Sequence, residues 1–187
     1  MGVEAIRQRF IQDENYFPQG MQGPSNISID ARYGPPKRIP VGAWWETRQQ
    51  CSEAGVHKPT VAGISGGNDG AFSIVMSGGY EDSLDDGNTF VYIGTDSAFG
   101  SSGPQVADQS MDHKHNKCLV KSMETGRHIR VVRGPNRASP WAPATGYRYD
   151  GLYTVTHAWE AKGRSGFKVC KFRLIREPGQ PPLCHTN

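Results

Sequence analysis

The sequence predicts a mainly β fold of the α+β class: a curved or closed, barrel-like sheet with a few flanking helices. Three observations carry this. Six segments rich in β-branched and aromatic residues are bounded by turn residues. Gly (23) and Pro (13) are abundant while charged residues make up only 21%, a loop-rich globular composition. At 187 residues the chain fits one domain with a sizeable core.

The elements follow in order. Val3, Ile6 and Phe10 recur at helical spacing, so a short amphipathic helix is expected at the start. "YFPQGMQGPSNISIDARYGPPKRIP" is dense in Gly, Pro, Ser and Asn and reads as an irregular arm. Residues 1–38 are therefore assigned to helix and arm, and 39–187 to the folded domain. Within it, "TVAGI", "AFSIVMSGGY", "TFVYIG", "HIRVVRG", "LYTVTHAW" and "FKVCKFRLI" are the expected strands. "GGNDGA" is a tight-turn signal joining two of them. In the last strand Phe167 and Val169 share one face, while Cys170, Phe172 and Leu174 share the other. That slip implies a bulge or burial on both faces. A helix is expected between Val106 and Met123.

Composition also excludes functions. No apolar run reaches membrane-span length, and the first residues lack a secretory pattern. Cys51, Cys118, Cys170 and Cys184 are far apart with no C-x-x-C pair, so we expect reduced intracellular thiols and no structural zinc. The histidines form no ligand pattern, and Asp82, Asp85 and Asp86 lack metal-loop spacing. Neither a cofactor, a metal nor catalysis is expected. The charge is lopsided. Met1–Asp112 holds 7 Lys/Arg against 14 Asp/Glu, and His113–Asn187 holds 14 against 4. The second half, with Lys114, Lys117, Lys121, Arg127, Arg130, Arg133 and Arg137, suits an anionic partner or a solvated basic face.

"SGGYEDSLDDGNTFVYIG" places Tyr80 and Tyr92 around an acidic turn. Gly78 and Gly79 let backbone approach a ligand closely. Rings on two faces and hydrogen bonds along one edge are what an extruded nucleobase requires. Packing of both tyrosines at strand ends, hydroxyls in water, is the other reading.

The order of "RIPVGAWWETR", "GVHKPTVAGISG", "NDGAFSIVMSGGYED", "GYRYDGLYTV" and "GRSGF" resembles the SET- and RING-associated (SRA, or YDG) domain, over roughly Tyr33 to Arg176. The resemblance implies a nuclear chromatin module that binds double-stranded DNA and flips 5-methylcytosine or a related base into a pocket. Tyr80 and Tyr92 then match the sandwiching rings, and Ser77, Gly78 and Gly79 the backbone that reads the base edge. Thr95 faces the methyl group. Val61 matches the thumb that enters the duplex, and Arg48 and Lys58 fall where cations meet phosphates. Three positions depart from the pattern. Ser83, beside Asp82, replaces the Asp that accepts from the cytosine amine; a shifted loop could aim Asp82 or Asp85 there instead. Ile93 replaces a Thr. Gly103, Pro104 and Gln105 replace the cationic finger that reads the orphan guanine. The departures leave a second expectation open, a derived SRA fold serving chromatin-protein interactions.

Overall fold

The computed structural model describes residues 30–78, 84–96 and 105–185. The predicted N-terminal helix lies outside them. Among the described residues eight strands and two helices follow one another as β1 (Trp44–Trp45), α1 (Arg48–Glu53), β2 (Ile64–Gly67), β3 (Gly70–Met76), β4 (Leu84–Asp85), β5 (Thr89–Ile93), α2 (Lys114–Thr125), β6 (Ile129–Arg133), β7 (Tyr147–Lys162) and β8 (Lys168–Arg176).

They form one sheet in the order β2-β3-β6-β7-β8-β5-β4, with β1 also on β7. β3 and β6 run parallel; every other ladder is antiparallel. Among the described residues no ladder joins β2 to β4, so the sheet is curved and open rather than closed. Its curl is visible in the core. Ile64 of β2 and Phe90 of β5, from opposite ends of the strand order, share one apolar cluster with Leu119, Val131, Phe172 and Leu174. Each such side chain contributes roughly 1.5–3 kcal/mol on burial.

A second cluster lies on the other face: Cys51, Val56, Val75, Val132 and Tyr149, backed by Ile39, Val41 and Trp45. The parallel pair is thus covered on both sides. Ile74 and Val131 face one cluster and Val75 and Val132 the other, which is why "SIVM" and "RVV" read as unbroken apolar runs.

"GGNDGA" closes the β2–β3 hairpin as predicted, with Gly67 opposite Gly70. The phase slip of the last strand reflects burial on both faces, since Val169 and Cys170 are both buried. The register shift itself lies in the facing strand, between Val155 and His157.

α1 starts with a capping box formed by Thr47 and Gln50. α2 starts eight residues later than Val106, because that stretch is drawn onto β8. Gln109 N–H donates to Lys168 O, and Lys168 N–H donates to Asp108 Oδ1. Gly126, with φ +69°, ends α2. Part of the expected arm also lies on the body. Arg130 donates to the carbonyls of Ala31 and Gly34, and Tyr33 packs on Phe72.

Candidate nucleic-acid interface

A cleft of about 580 Å³ opens where β3, β5, α2 and the loop before β2 meet. That volume lies within the ~300–1,000 Å³ of small-molecule sites. Eight predicted site residues line it: Arg48, Val61, Ser77, Gly78, Asp85, Tyr92, Ile93 and Thr95. Gly79, Tyr80, Asp82, Ser83, Gly103 and Pro104 lie outside the described residues.

The floor is the end of β3. Gly78 has φ +66°, and a Cβ there would sit 2.7 Å from the side-chain carbonyl carbon of Asn136. Glycine is thus required for both reasons. Asn136 lines the cleft and accepts at Oδ1 from Ala138 N–H. Sequence reasoning missed it, because "GPNRAS" carries only a turn signal.

The far wall is β5. Ile93 is buried, and Thr95 is held at both backbone groups by one amide: Thr95 N–H donates to Asn116 Oδ1 and Asn116 Nδ2 donates to Thr95 O, each at 2.9 Å. Gln109 does the same between strands, donating to Gly94 O and accepting from Cys170 N–H. Neither amide shows in the sequence, because both partners come from distant elements.

The near rim is the loop carrying Val61, which the sequence assigns to a strand, "TVAGI". Only Ile64 of that stretch is in β2. Val61 stands 67% exposed at the loop's tip. Arg48, expected to contact phosphate, is instead turned inward. Its Nη2 donates to Pro59 O and Ala62 O at 2.9 and 2.6 Å, and burial lowers its pKa. Lys58 is exposed and is not in the cleft lining.

Gln105 is likewise spent. Its Nε2 donates to Ala107 O and Lys168 O, and its Oε1 accepts from Ser165 Oγ. The carboxamide ties the chain to the β7–β8 turn, away from the cleft.

The cleft wall at Asp85, Arg133 and Ser139 is part of a largely buried ion network. Arg133, 1% exposed, uses all its N–H groups. It donates to both oxygens of Asp85, to Gly87 O, to Asp150 and to Tyr153 Oη. Asp85 also accepts from Ser139 Oγ and Gly87 N–H. Burial pushes its pKa up, but the Arg133 hydrogen bond and charge outweigh this and hold it below the usual carboxylate range. Asp85 lines the cleft, but both of its oxygens are engaged by Arg133, Ser139 and Gly87, so they are not free for a base. Asp150, the acid of "YDG", holds Arg133 and Arg148 together.

An exposed apolar tip beside a cleft with one tyrosine wall and a glycine floor occurs here at the positions the motifs predict. The SAD/SRA domain family matches residues 32–180. This chain belongs to the SAD/SRA domain family. It is 45% identical to a UHRF1-like protein of Cryptococcus neoformans over 157 residues, 78% of this chain and 46% of that protein. It is 41% identical to the E3 ubiquitin-protein ligase UHRF1 of Xenopus laevis, over 80% of this chain and 22% of that one. The chain thus spans less than half the length of either relative. Its fold matches the SUVH5 SRA domain crystallised with fully hydroxymethylated CG DNA, with a TM-score of 0.68 and 35% identity, covering 81% of this chain and 98% of that one. A modification-dependent TagI restriction endonuclease matches with a TM-score of 0.73 and 38% identity, over 78% of this chain and 52% of that one.

Proposed function

We propose that this SRA domain reads 5-methylcytosine or a related modified cytosine in double-stranded DNA by flipping the base into the cleft. The observation that carries the reading is the pairing of Val61, exposed on a braced loop, with the Tyr92 wall of the adjoining cleft. Val61 fills the space left in the stack. Tyr92 stacks on one face of the base, and Tyr80 on the other. The Ser77–Gly78–Gly79 backbone meets its edge, and Thr95 its 5-substituent. Asp82 and Ser83 are the acceptors for the amine, and Ile93 closes the end wall. Exposed Lys58 meets phosphate, and the Gly103–Pro104 segment, which carries no cation, meets the strand left behind.

The SUVH5 SRA domain, crystallised with fully hydroxymethylated, fully methylated and hemimethylated CG DNA, supports the ligand class. The domain acts by binding, not by catalysis, with chromatin in the nucleus as its setting. Titration of labelled duplexes carrying cytosine, methylcytosine or hydroxymethylcytosine tests this. Tighter binding of a modified duplex, lost on Tyr92→Ala, is the expected result. Equal affinity for all three would leave the chromatin-protein platform as the function.

A further inference from the structure

The loop bearing Val61 has no regular structure between Glu53 and Ile64, yet its backbone is pinned on both sides of the tip. Before the tip, Lys58 O accepts from Ser52 Oγ at 2.6 Å and Pro59 O accepts from Arg48. After it, Ala62 O accepts from Arg48 and from His57 Nε2 at 2.9 Å. Gly63 O accepts from Val75 N–H at 2.8 Å and from Tyr92 Oη at 3.2 Å.

His57 is the innermost of these pins, with 0% exposure. A carbonyl only accepts, so Nε2 carries the proton and Nδ1 accepts from Ser73 Oγ at 2.7 Å. The tautomer is thereby set. Through Ser73 the loop is referenced to β3; through Arg48 and Ser52, to α1. Through Tyr92 it is referenced to the cleft wall itself. A Cβ on Gly63 would lie 2.8 Å from Tyr92 Oη, so glycine at 63 is what lets the hydroxyl approach.

Resting on the base-flipping reading, we infer that the Tyr92 hydroxyl, His57 and Arg48 are positioning residues that couple the inserting tip to the base pocket. A side chain entering a base stack works against the cost of unstacking. A loose loop would add the entropic cost of ordering each residue it fixes. The brace removes that cost before DNA arrives. Because Tyr92 is both wall and strut, moving the tip shifts the ring on which the base stacks.

The test uses a duplex with one methylcytosine and 2-aminopurine beside it, whose fluorescence reports extrusion. Val61→Ala is expected to reduce the signal. Tyr92→Phe keeps the ring and is expected to reduce extrusion about two- to tenfold, the value of one neutral hydrogen bond. His57→Gln, able to keep a donor toward Ala62 O, should lose less than His57→Leu. In the Val61→Ala background Tyr92→Phe should add nothing, because the strut then holds no wedge. If the parent gives no extrusion signal, the base-flipping reading falls and the brace with it; if Val61→Ala extrudes the base as well as the parent does, the wedge and its brace fall and base flipping stands. If Val61→Ala lowers extrusion while Tyr92→Phe has no effect, or acts additively with it, the coupling is wrong and base flipping stands. Tyr92→Phe does not depend on how well the His57 variants fold.

Discussion

Tyr92 sits with its ring on the cleft and its hydroxyl on the Gly63 carbonyl, so truncating it removes two things at once. Tyr92→Ala should weaken binding of a methylated duplex by roughly 1–3 kcal/mol, the worth of a base on an aromatic ring. Anisotropy titration would show it, with a smaller change for unmodified DNA. Asp85 poses the opposite case. In the sequence it is one of several acids in a polar turn; in the fold its side chain is 9% exposed and shared between Arg133 and Ser139. Asp85→Asn leaves the Arg133 charge buried with one carboxylate fewer. We expect a loss of about 3–5 kcal/mol in urea denaturation. A variant as stable as the parent would show the clamp to be idle. Spacing alone cannot say which acid of Asp82, Asp85 and Asp86 is structural. The deciding cation lies 48 residues away along the chain.

At the scale of elements, what was legible is what local pattern determines. Continuous apolar runs marked β3 and β6 because both faces are covered, and the "GGNDGA" hairpin followed from turn chemistry. The Val61 loop was misread as strand because Thr60, Val61 and Ile64 are β-branched. The carbonyls of Lys58, Pro59 and Ala62 are satisfied by side chains instead of a ladder, a choice made by Arg48, Ser52 and His57. His57 gives this loop a pH signature. Burial lowers its imidazole pKa from 6.5 to about 3, with Arg48 nearby pushing the same way. Between those values the unfolded chain binds a proton that the folded one does not. Stability from this group is therefore complete above about pH 6.5, declines as pH falls through the window and levels off below about 3. The slope is at most about 1.36 kcal/mol per pH unit. Denaturation at pH 7.5, 6 and 5 should show it, and His57→Gln should be less pH-dependent by that amount. Parallel pH profiles for parent and variant would mean that the histidine is not buried in its neutral form.

Over the whole molecule, the charge asymmetry of the sequence does not become an equal asymmetry of the surface. The cation-rich second half sends Arg130, Arg133 and Arg148 inside, onto backbone carbonyls, Asp85 and Asp150. Arg127 lies over the Tyr33 ring, and Lys121 pairs with Glu124. Composition could not reveal this, since a buried arginine and a phosphate-binding one read alike. Around the cleft and α2, Lys58, Lys114, Lys117 and Arg137 remain exposed. Each phosphate neutralised on B-DNA contributes about −0.9 to the slope of log K against log salt. If these four supply the backbone contacts, the slope between 50 and 200 mM salt should be no steeper than about −4. Lys114→Gln and Lys117→Gln should each make it shallower by about one and weaken methylated and unmodified duplexes alike. Arg130→Gln should lower the melting temperature and leave the slope where it was, because its guanidinium is committed to Ala31, Gly34 and Gly55. A flat salt dependence would remove DNA as the partner. A slope well beyond −4 would require cations outside this set to reach the backbone, and would place the phosphate track elsewhere on the surface.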